Sequence, residues 1–69
     1  MPRNIEGKYQ YDIVAIVTQN KDRILGGRQL TLLAQNEEEQ KAMAEEVALT
    51  MKASVVKVKF GDYFVIRML

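Results

Sequence analysis

The chain has 69 residues, 48% of them hydrophobic and 28% charged, with a formal net charge of +1 and neither cysteine nor histidine. That length holds one domain with one thin core, and the missing residue types exclude disulfide staples and the usual transition-metal ligands. Ordering such a chain costs roughly 100 kcal/mol of conformational entropy at about 1.5 kcal/mol per residue, which a core of this size only just offsets, so oligomerisation is the expected extra source of stability.

Residues 1–7, with Pro2, Asn4 and Gly7, read as a flexible N-terminal arm, and residues 8–69 as a single small domain. No apolar run of signal-peptide or membrane-spanning length occurs, which gives a cytoplasmic expectation with no membrane contact. "KYQYDIVAIVTQ" alternates as a strand, with Tyr9, Tyr11, Ile13, Ala15 and Val17 on one face and Gln10, Asp12, Val14, Ile16 and Thr18 on the other. "NKDR" is a polar turn, and "RQLTLLAQ" alternates again, so the two strands read as a hairpin.

"NEEEQKAMAEEVALTMKA" predicts a helix over about 37–52. Asn36 and Glu39 have the spacing of a capping box, and three early glutamates complement the helix dipole. Met43, Ala44, Val47, Ala48 and Met51 share its apolar stripe, while Ala42 and Leu49 lie opposite. "SVVKVKF" and "YFVIRML" then form a second hairpin about Gly61 and Asp62. Its more apolar face, with Val56, Val58, Phe60, Phe64, Ile66 and Met68, is assigned to the helix side. Val55, Lys57, Lys59, Tyr63, Val65, Arg67 and Leu69 fall on the other.

The predicted architecture is therefore α+β: two layers in ββαββ order, a four-stranded, mostly antiparallel sheet with one helix packed on one face. Strand order 2-1-3-4 makes every neighbour antiparallel, whereas strand three beside strand two requires one parallel pair. One helix cannot cover both faces of such a sheet. The uncovered face is expected to carry a homodimer interface at Val14, Ile16, Leu33, Val55, Val65 and Leu69.

"RILGGRQ" holds the only adjacent glycines, but a strand follows it rather than the helix N-terminus that a phosphate-cradling loop requires. Gly26 and Gly27 read as a bulge or turn, with anion contact by Arg23, Gly26, Gly27 and Arg28 as the functional alternative. Charge segregates along the chain. Residues 36–50 carry five glutamates against Lys41, and residues 51–69 carry Lys52, Lys57, Lys59 and Arg67 against Asp62. Consecutive glutamates point in different directions around a helix, so neither a metal site nor any other cofactor is expected.

Without histidine or cysteine, and with Ser54 as the one serine, no nucleophile and base pair is evident and no enzyme is predicted. The leading expectation is a regulatory or adaptor domain acting by protein contact as a homodimer, using the open sheet face and exposed strand edges. The alternative is a single-stranded DNA or RNA binder, in which Lys57, Lys59 and Arg67 surround Tyr63 as a stacking platform.

Overall fold

A computed structural model describes residues 10–68. The expected arm at 1–7, Tyr9 and Leu69 lie outside the described residues. Four strands and one helix follow in the order β1 (Tyr11–Thr18), β2 (Leu30–Leu33), α1 (Glu37–Met51), β3 (Ser54–Lys57) and β4 (Tyr63–Met68). They form the expected two-layer α+β fold, with α1 packed on one face against β1, β3 and β4.

The sheet order is β2-β1-β4-β3, and the first two strands are not a hairpin. β1 and β2 pair in parallel, Ala15 opposite Leu30 through Thr18 opposite Leu33. The chain between them makes a single 3-10 turn at Lys21–Arg23, capped by the Asn20 side chain, and then returns through the irregular segment "ILGGRQ", which bends at residues 28–29. Gly26 (φ 156°) and Gly27 (φ 122°) lie in this return, where side chains are rarely tolerated. The paired glycines therefore serve a crossover without a helix.

The C-terminal hairpin forms as predicted, but its turn spans residues 58–62 rather than Gly61 and Asp62 alone. Lys57 pairs with Tyr63, and the turn is closed by the Val58 amide donating to the Asp62 carbonyl at 2.9 Å. Lys59 and Phe60 thus sit in the turn and not on the strand.

The helix starts where its cap predicts. The Asn36 side chain accepts from the Glu39 amide at 2.8 Å, while the Glu39 carboxylate accepts from the Gln35 amide at 2.7 Å, one residue earlier than an ideal capping box. It ends on Lys52 in the left-handed region, with the Ala53 amide reaching back to the Ala48 carbonyl.

The core between the layers is built from small residues. Ala15, Val17, Ala34, Ala44, Ala48, Tyr63 and Val65 are all buried, with Val14, Leu32, Met43, Val47 and Val55 packed around them. The helix stripe differs from the predicted one at both ends. Met51 is exposed, and the buried row begins a turn earlier at Gln40, which is fully buried.

The Gln40 amide group donates to the Val17 carbonyl at 2.7 Å and to the Gly61 carbonyl at 2.9 Å, and its oxygen accepts from Gln19 at 3.0 Å. Two carbonyl partners fix which end of the amide faces the sheet. One helix side chain thereby ties the end of β1 to the β3–β4 turn.

Candidate functional site

Cross-strand partners share a face, so the register fixes what each side of the sheet presents. On the helix side stand Ala15, Val17, Val55, Tyr63 and Val65, the reverse of the expected assignment for the C-terminal hairpin. Val14, Val55 and Val65, expected on the open face, pack instead into the core, and Val65 is fully buried. The register of β1 against β4 shifts between Ile13 and Ala15. This bulge at Val14 moves Ile13 and Tyr11 to the open face, opposite Ile66 and Met68.

The open face therefore displays Tyr11, Ile13, Ile16, Phe64, Ile66 and Met68 along the two central strands, with Leu33 and Val56 at the margins. The other strand residues on it are Thr18, Thr31 and Ser54. Among the described strand residues none on this face is charged, whereas Asp12, Lys57 and Arg67 all stand on the helix side. Ile16 is buried by its neighbours, Phe64 and Ile66 are half-buried, and Met68 is 64% exposed. A solvated sheet face normally alternates polar residues outward, and this face departs from that pattern.

A polar node closes one end of that face. The Asp62 carboxylate is 1% exposed. Its Oδ1 lies 2.8 Å from the Thr18 hydroxyl, which lies 3.1 Å from the Asn20 carbonyl. A hydroxyl carries one proton, and the shorter contact to a buried carboxylate is the stronger claim on it. The other oxygen, Oδ2, receives no hydrogen bond and faces Arg23 Nε at 3.5 Å. The Arg23 guanidinium lies over the Phe60 ring, 5.6 Å from its centre. This node anchors the start of the crossover to the β3–β4 turn.

Residues 10–68, nearly the whole chain, match the family described as "Capping complex subunit for YIEGIA". The chain belongs to that family. No curated protein and no solved structure matches it. The family's description is of a subunit of a complex. No helix among the described residues is long and apolar enough to cross a membrane.

The residues singled out for nucleic-acid stacking do not form a platform. Tyr63 is 6% exposed beneath the helix, Lys59 is in the turn, and Arg67 lies at the far end of β4. Among the anion candidates, Arg23 is drawn to Asp62 at one end of the sheet. Arg28 instead shares a depression with Asp12, Ile13, Val14 and Arg67. Of the expected interface residues, Ile16 and Leu33 stand on the open face. The even-numbered residues Val56, Phe64, Ile66 and Met68 were missed there, although their lack of any charge was a usable signal.

Lys57 and Tyr63 meet at the helix N-terminus. The Glu37 carboxylate accepts from Lys57 Nζ at 2.6 Å and from the Tyr63 hydroxyl at 3.0 Å. The Lys57 hydrogen bond holds the Glu37 carboxyl below its usual range, and the same bond raises the Lys57 ammonium. Burial, then the bond to Glu37, pushes the Tyr63 phenol up. A lowered Glu37 contributes stability above about pH 4, the ordinary carboxylate value, and loses it as pH falls through its folded value. Raised Lys57 and Tyr63 contribute below about pH 10 and lose it as pH rises through theirs. Calorimetry from pH 3 to 11 should find both limbs of the melting curve shallower in Glu37→Gln than in the wild type. Identical limbs would show that the triad does not couple to folding. With Lys57 and Glu37 both more than half exposed, the effect is small.

Proposed function

We propose that the chain is a non-enzymatic protein-interaction subunit that docks within a capping complex for YIEGIA through the open face of its sheet. The observation that carries this reading is the apolar face whose described strand residues carry no charge, beside a helix layer that is already closed with alanines. Family membership supplies the kind of partner, a component of a complex. Interface cores are depleted of charge and rich in aromatic residues and methionine, which Tyr11, Phe64 and Met68 supply.

The test is co-expression with YIEGIA. Val56→Lys with Met68→Lys places two charges where the face is already exposed, so the fold should hold and the melting temperature stay within a few degrees. Co-purification should fall about tenfold or more, because a charge buried in an apolar contact costs more than about 1.4 kcal/mol. Unchanged recovery of the complex would sink this reading.

Two copies joined through the same face, the homodimer expected from the sequence, would bury the same residues. Equilibrium sedimentation of the isolated chain separates the two cases, since a dimer broken by the double variant makes self-association the use of this face. A single-stranded nucleic-acid role draws no support from this arrangement, because its one proposed aromatic, Tyr63, is under the helix.

A further inference from the structure

A second feature lies away from the open face, at the other end of β1. β1 begins at Tyr11 and pairs with β4 from Tyr11 to Val17, with the bulge at Val14, but β2 joins it only from Ala15 onward. Over Tyr11–Val14 the β2-side edge of β1 therefore has no strand partner among the described residues. Every second residue of a strand turns its N–H and C=O groups toward such an edge. Four residues at about 3.3 Å each give roughly 13 Å of unpaired edge, enough for three or four residues of another strand.

Beside this edge is a depression of about 370 Å³ lined by Asp12, Ile13, Val14, Arg28 and Arg67. Arg28 comes from the end of the glycine crossover and Arg67 from β4. Two cations thus face one carboxylate. Among the described residues neither arginine is in an ion pair, the pairs being Arg23 with Asp62 and Lys57 with Glu37. Guanidinium groups are suited to bidentate capture of carboxylates.

We propose that this notch is a strand-addition site for an extended acidic segment of a partner protein. The main chain of that segment pairs with Tyr11–Val14 in line with β2, and an Asp or Glu side chain from it is held by Arg28 and Arg67. Main-chain pairing supplies affinity and the arginine pair supplies the preference for acid, the division of labour of peptides that extend a sheet. The inference rests on the chain being a protein-binding subunit, but it concerns the main-chain edge of Tyr11–Val14 and the Arg28 and Arg67 side chains, which docking on the open face does not use.

The test is selection of a random heptapeptide display library on the full-length protein, followed by labelled synthetic versions of the most enriched peptides. Enriched sequences should carry a central Asp or Glu flanked by β-branched residues. Their affinity should fall about tenfold or more in the Arg28→Glu, Arg67→Glu double variant, since both side chains are exposed and contribute charged hydrogen bonds. Binding should survive Val56→Lys with Met68→Lys, and new hydrogen-exchange protection should centre on residues 11–14. The proposal is overturned if no peptide is enriched, if enriched peptides lack acidic residues, or if their binding survives charge reversal at the arginines. Protection of residues 11–14 in the free full-length chain would overturn it too, because the chain's own residues would then fill the edge. Co-purification with YIEGIA that is lost in the lysine double variant but kept in the glutamate one leaves the docking face standing whatever the peptides do.

Discussion

Gln40→Leu is expected to destabilise the protein by about 2–3 kcal/mol, which for a domain of this size is roughly 10–20 °C in melting temperature. The two residues are close in volume, so the substitution opens no large cavity. What it removes is an amide whose two protons are both donated, to Val17 and to Gly61. Both carbonyl oxygens would then lose that donor at a site where the side chain is fully buried. Each unsatisfied buried acceptor costs about 1–3 kcal/mol, and added apolar burial by leucine offsets part of this. Gln40→Glu should be worse still, because a carboxylate has no proton to donate and would face two carbonyl oxygens. Gln19→Ala, which removes only the exposed partner, should stay within about 0.5 kcal/mol. Chemical denaturation of the three variants decides the matter. If Gln40→Leu unfolds at the wild-type midpoint, the amide is not a strut.

Gln40 also marks a limit of reading periodicity. A buried glutamine at the head of an apolar stripe looks, in sequence, like any polar residue of a first helical turn. Only the approach of the β3–β4 turn, which supplies Gly61 as acceptor, makes burial tolerable. By contrast, the helix itself was legible from Asn36, Glu39 and the alanine and valine spacing, because capping and amphipathicity are local.

The strands were legible as strands, but their faces were not. Alternation gives two faces for each strand without saying which one meets the helix. Assigning the more apolar face inward placed Phe64 and Ile66 beneath the helix, whereas the structure puts Tyr63 and Val65 there. The choice is made by strand order and by the hand of the β2–α1–β3 crossover, neither of which alternation carries. The bulge at Val14 then changes the phase of β1 part-way along. Likewise, "NKDR" and the glycine pair signal turns in a hairpin and in a parallel return alike. The failure of the inward-apolar rule is itself informative, since natural sequences break such rules mainly where function requires it. Here the more apolar face is the one turned away from the helix, the face proposed above for docking.

The inner layer offers the complementary prediction. Ala44→Leu is expected to cost on the order of 3 kcal/mol, because three added carbons enter a layer where alanines already line the sheet and the helix. Ala44 is fully buried among Ala15, Val17 and Val65, and a larger side chain there must push the helix off the sheet or leave its rotamer well. Leu49→Ala, on the 81% exposed side of the same helix, should change stability by no more than about 0.5 kcal/mol. The decisive variant is the pair Ala44→Leu with Val65→Ala. Removing two carbons from the facing strand makes room for the leucine, so the double variant should be more stable than the sum of the single effects by about 1 kcal/mol or more. If the two effects add within about 0.3 kcal/mol, the helix and sheet are not in the tight contact described. A positive coupling would mean that the helix layer has no spare volume for a partner side chain, which leaves the opposite face of the sheet as the surface on which a partner can be packed.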